Sequence, residues 1–126
     1  MLMIESFQQS LPGGPAAVDA ACAWMSAIVG SVEPGQAELA VRITRELMAG
    51  AIRHTPATEE LHLCVIPLAT NLVIEIRDPG APAADGTART SWADLSLEVA
   101  EFGSKQIAGQ GHIAWVLLPP RRGSHD

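Results

Sequence analysis

The chain has 126 residues, with 8 Lys and Arg against 14 Asp and Glu, a formal net charge of −6, and 48% hydrophobic against 17% charged residues. That length fits one domain with one core, the apolar share argues against disorder over most of it, and the acidic balance argues against non-specific binding to nucleic acid or anionic membrane. Aromatic residues are only 4%, with no Tyr, too few for a platform on which single-stranded nucleic acid or sugars could stack.

Met1 to Ser10 lacks the basic start and apolar run of a signal peptide, and no stretch approaches the ~20 apolar residues of a membrane span. A cytoplasmic protein is expected, with Cys22 and Cys64 as buried reduced thiols, since neither stands in a CxxC spacing. Residues 1–10 form an N-terminal segment with a strand predicted over 4–8, and residues 11–120 form the domain. Leu11-Pro12-Gly13-Gly14-Pro15 breaks the chain ahead of an Ala-rich run in which Val18, Cys22, Met25 and Val29 recur at helical spacing. Pro15 suits the first turn of that helix and Gly30 its end. After Glu33-Pro34-Gly35, Leu39, Ile43, Leu47 and Ala51 stand at i, i+4 with Glu38, Arg42 and Arg45 off the stripe. This second helix should stop near His54, because Pro56 disfavours helical geometry at Thr55.

From Glu60 the period drops to two: Leu61, Leu63 and Val65, then Leu72, Ile74 and Ile76, predict two strands joined at Ala69-Thr70-Asn71. Pro67 must then lie at a bulge, an edge or the strand end. Asp78 to Thr90, rich in Gly, Pro, Ala and Asp, reads as a loop. Ser91-Trp92-Ala93-Asp94 matches a capping box and predicts a third helix with Trp92, Leu95, Val99 and Phe102 as its apolar positions and Gly103 as its end. Ile107 and then Ile113 to Leu118, around Gly109-Gln110-Gly111, predict a final hairpin, and residues 121–126 a solvated, flexible tail. The Trp and Phe residues are expected in the core. The order of elements predicts an α+β fold, a two-layer α/β sandwich with helices on one face of a mostly antiparallel sheet.

Four local sequences carry a resemblance to a known family. Leu11-Pro12-Gly13-Gly14-Pro15-Ala16-Ala17-Val18 is similar to the opening of small bacterial anti-sigma-factor-like serine kinases. Arg45-Glu46-Leu47-Met48-Ala49-Gly50-Ala51-Ile52-Arg53-His54-Thr55 resembles their N-box helix, usually Glu-Leu-x-x-Asn-Ala-x-Arg-His. Val73-Ile74-Glu75-Ile76-Arg77-Asp78-Pro79-Gly80 resembles the strand and Asp-x-Gly turn of their first glycine box, and His112 to Pro119 their last strand. The resemblance spans nearly all of 11–120 and implies the Bergerat ATP-binding fold shared with histidine kinases, gyrase and chaperone ATPases.

The resemblance also assigns roles. Asp78 and Gly80 would stand at the adenine end, the carboxylate accepting the exocyclic amino group. Gly50 and His54 hold N-box positions, and Glu46 would be the catalytic carboxylate if the chain is active. The family's magnesium-holding Asn is replaced by Gly50, which offers no oxygen ligand, and Ser91-Trp92-Ala93-Asp94-Leu95 stands where the family has its second glycine box. Asp94 would present a negative charge to phosphate at the helix start. No metal site is expected from the histidines, which have neither HxxxH nor HExxH spacing. ATP and magnesium are therefore implied by the resemblance alone.

The function these features favour is a regulatory protein-binding module with an eroded ATP site, in bacterial transcriptional or developmental signalling. Its partner by resemblance is a sigma factor or an antagonist protein, and a homodimer is implied in the same way. The alternatives are an ATP-binding serine kinase that phosphorylates an antagonist protein, and a sensor of a small ligand in the old adenine pocket.

Overall fold

In a computed structural model, residues 6–80, 98–107 and 111–120 are described. The chain runs β1 (Phe7–Pro12), α1 (Ala16–Val32), α2 (Ala37–Ala51), β2 (Glu60–Pro67), β3 (Leu72–Asp78), β4 (Glu101–Ile107) and β5 (Gly111–Leu117), with 3-10 turns at Pro34–Gln36 and Ile52–His54. The five strands form one sheet in the order β1-β2-β3-β5-β4, and every neighbouring pair is antiparallel. Two helices pack side by side on one face of it, so the α+β two-layer arrangement is present.

The periodicities explain the layers. Leu61, Leu63 and Val65 of β2, Leu72, Ile74 and Ile76 of β3, and Ala114 and Val116 of β5 all face the helices and are buried. They meet Ala21, Met25 and Val29 of α1 and Ile43, Leu47 and Met48 of α2 in one continuous core. The buried side of α2 is wider than its Leu39–Ala51 stripe, because Ala40, Thr44 and Met48 are covered as well. That second row is what a helix needs when it touches both a neighbouring helix and a sheet.

α1 passes through Gly30 and ends only at Val32, where the Glu33 amide donates to the Val29 carbonyl and Pro34 follows. Pro67 stands at the end of β2, and the Leu68 amide closes the turn to β3 on the Asn71 carbonyl at 2.7 Å. No helix among the described residues is long and apolar enough to cross a membrane.

Several expectations are corrected. The third helix does not reach Phe102 and Gly103: both lie in β4, and Val99 precedes it in non-helical chain. The Ala100 amide donates to the Leu117 carbonyl at 2.9 Å, which ties this stretch to β5 before a helical turn can form. Gly103 suits the strand because three atoms of the Trp115 indole lie 2.8 to 2.9 Å from where a Cβ would stand. The ring covers the bare backbone across the strand pair.

The first strand continues through Leu11 and Pro12 instead of breaking there, and Pro12 is tolerated because β1 is an edge. Residues 4–5, the start of the expected third helix at 91–97, the 81–90 segment and the 121–126 tail lie outside the described residues. Of the aromatics expected in the core, Phe7 and Trp24 are half-buried and pack against it, Trp115 is half-buried on the opposite sheet face, Phe102 is exposed, and Trp92 lies outside the described residues; the largest fully buried side chains are aliphatic or Met. Cys22 is buried, but Cys64 is only half-buried, on the sheet face away from the helices.

Candidate functional site

Alternation along β3 carries the buried row Leu72, Ile74, Ile76 one step further to Asp78, at the sheet end and on the helix side. The β3–β5 register sets Asp78 opposite His112. Both are buried, with side chains 2% and 10% exposed respectively. The Gly80 amide donates to Asp78 Oδ1 at 2.7 Å, and Oδ2 lies 3.6 Å from His112 Nδ1, within ion-pair reach but too long for a hydrogen bond. Sequence reasoning singled out Asp78 and Gly80 but not His112. The signal was there: His112, Ala114, Val116 and Leu118 form one alternating row, and its first member had to meet whatever ended β3.

The two glycines beside this pair are required by geometry. Gly80 has φ +89°, and a Cβ on it would overlap Gln106 Nε2 and stand 2.9 Å from Gly111 Cα. Gly111 has φ +95°, and a Cβ there would overlap the Asp78 carbonyl oxygen. Positive φ is open to Gly and strained for other residues. The turn after β3 is thus packed against the start of β5, with the Gln106 amide over it.

Glu46, Gly50 and His54 do not share one environment. Glu46 is exposed on α2 and makes no hydrogen bond or ion pair among the described residues, whereas Gly50 and His54 are buried. α2 ends at Ala51 and the chain tightens into the turn Ile52–His54, where each residue advances by about 120° rather than 100°. His54 is thereby rotated off the line through Glu46 and Gly50. Thr55 closes the end, its hydroxyl donating to the Ala51 carbonyl at 2.9 Å.

At the two ends that the described residues include, Asp78 with Gly80 and Gly50, the side chains do not fit a magnesium nucleotide. An adenine amino group needs an approachable carboxylate, yet the Asp78 side chain is 2% exposed, with one oxygen on its own turn and the other facing His112. The space beside Gly80 is taken by Gln106 and Gly111. At the metal end Gly50 supplies no side-chain oxygen.

The opposite face of the sheet carries a trough of about 720 Å³ across β1, β2 and β3, lined by Gln8, Glu60, His62, Cys64, Glu75 and Arg77 among others. His62 Nδ1 and Ser10 Oγ share a hydrogen bond of 2.9 Å across the first strand pair. Burial pushes the Cys64 thiol above its ordinary range and Glu75 pushes it further, against smaller opposing effects of a hydrogen bond with Ser6 and the charge of Arg77. Cys22 is likewise raised, chiefly by burial. Neither thiol is set up as a nucleophile, which requires the thiolate.

No family model matches the chain, and no curated protein matches it.

Proposed function

We propose that the chain is a regulatory module that works by binding another protein, on a Bergerat-type scaffold whose nucleotide site no longer serves phosphoryl transfer. The setting suggested by the sequence resemblance is bacterial transcriptional or developmental signalling, with a sigma factor or its antagonist as partner. The observation that carries this reading is the enclosure of the Asp78 carboxylate, which accepts from the Gly80 amide and faces His112, with Gln106 packed over Gly80. A carboxylate so enclosed supports a structural use of the old adenine contact. Phosphoryl transfer depends on metal and positioned donors to stabilise charge in the transition state, and Gly50 in place of Asn removes one of them.

Two measurements test this. Calorimetric titration with ATP, ADP and adenosine, with and without magnesium, should give no magnesium-dependent heat. Binding of magnesium-ATP below ~100 µM, about −5.5 kcal/mol, overturns the reading. Capture of a partner from the host in nucleotide-free buffer, followed by labelled ATP, should give a complex without transfer of label. Transfer that Glu46→Ala abolishes establishes a serine kinase instead.

A further inference from the structure

The face of the sheet turned away from the helices has no described element over it, and its chemistry is divided. Toward β5 it is apolar, with Val73, Ile113, Trp115 and Leu117 half-buried and aligned by the β3–β5 register. The Trp115 indole lies over Gly103 rather than standing away from the sheet, which smooths this half. Toward β1 lies the trough, lined among the described residues by Glu59, Glu60 and Glu75 and by one guanidinium, Arg77. Asp78 also borders it, but its carboxyl group is buried on the helix side.

An apolar strip beside an acidic trough fits a segment that has apolar side chains next to basic ones. A second copy of the chain is disfavoured, because it would set the same excess of carboxylates against itself in a molecule already at −6. Resting on the protein-binding reading above, we infer that this sheet face is the docking surface, and that its occupant is a partner segment with Arg or Lys in the trough against Glu60 and Glu75 and apolar side chains on Val73 and Trp115. Arg suits the trough best, because its planar fork can engage carboxylates with two hydrogen bonds at once.

The test uses the full chain, isotopically labelled, and a pair of short synthetic amphipathic peptides with the same Leu pattern, one carrying Arg and the other Glu at the polar positions. The Arg peptide should shift the backbone amide resonances of His62, Cys64, Glu75, Arg77 and Trp115, and the Glu peptide should not. Its affinity should fall at least about tenfold in Glu60→Gln/Glu75→Gln and with added salt, and be unchanged in Glu38→Gln, a control on the helical layer. Shifts confined to α1 and α2, no binding, or equal affinity in the double variant overturns the assignment. Concentration-dependent shifts of the same amides without peptide make a second copy the occupant, and tighter peptide binding after removal of residues 121–126 makes it the chain's own Arg121-Arg122 segment; either refutes the proposal. Failure here leaves the nucleotide titration untouched, so a misplaced surface and a misjudged function give different results.

Discussion

Replacing Gly111 by Ala tests the packing that closes the turn after β3. The residue has φ +95°, and the added Cβ would overlap the Asp78 carbonyl oxygen and approach the Asp78 and Pro79 carbonyl carbons to 3.2 Å. These are backbone atoms, which cannot swing aside as the end of a side chain can. Holding a non-Gly residue in this region costs about 1 to 3 kcal/mol, and displacing packed neighbours about as much again. The sum, about 2 to 6 kcal/mol, is a large part of the ~5 to 15 kcal/mol that holds a domain folded. With an unfolding entropy of about 2.1 cal/mol/K per residue, near 0.26 kcal/mol/K for this length, Tm should fall by about 8 °C or more. Gly30→Ala supplies the contrast: Gly30 is exposed inside α1, with nothing within 4 Å of the new methyl group. It should gain up to about 1 kcal/mol, or about 3 to 4 °C. Scanning calorimetry of the two variants reads both signs. Melting of Gly111→Ala within about 2 °C of the parent would show that β5 does not begin against Asp78.

Leu47→Ala should cost about 2 to 5 kcal/mol in urea unfolding, because Leu47 is 1% exposed at the centre of the core, while Glu46→Ala beside it should stay within about 0.5 kcal/mol. Thr44→Val should leave stability unchanged or raise it by about 1 kcal/mol, since the Thr44 hydroxyl is fully buried and has no hydrogen-bond partner among the described residues; a loss above about 1 kcal/mol would mean that the hydroxyl is bonded. The two thiols make stability fall in alkali. Folding raises their pKa, so above about pH 8.5 the unfolded chain releases protons that the native state keeps, and stability drops as pH climbs through the native value. The chain has no Tyr to confuse that window, and Cys22→Ala/Cys64→Ala should flatten the decline in urea midpoint.

The elements legible in the sequence are those whose faces differ most. Leu39, Ile43, Leu47 and Ala51 mark α2 because one side of it is apolar and the other charged, and Leu61 to Val65 mark β2 because every second residue enters the core. β4 gives no such sign: only Phe102 and Ile107 are large and apolar among its seven residues, and most of the strand is exposed on both faces. Its order comes from pairing with β5, which no local pattern reveals, so Val99 and Phe102 at helical spacing pointed to a helix instead. β1 was misplaced for the same reason, with Gln8, Gln9 and Ser10 exposed in a row. At the site, Asp78 and Gly80 were readable from the turn they make, but the partner of Asp78 is fixed by strand register 34 positions away, and a register is a property of two strands together.

The strand order has a consequence for the chain as it is made. β3 stands at the middle of the finished sheet, paired with β2 on one side and β5 on the other. Once residues up to 80 have emerged from the ribosome, the two described helices and three strands can form, but the flank of β3 that belongs to β5 still shows unpaired amides and carbonyls beside Leu72, Ile74 and Ile76. An unpaired strand flank next to apolar side chains invites pairing with another chain. The nascent protein therefore stays adhesive until the last hairpin inserts, β5 inward and β4 to the outside. A chain cut between β3 and β4 would keep most of the core but lack Ala114, Val116 and Leu118 and the hairpin that covers the open flank of β3.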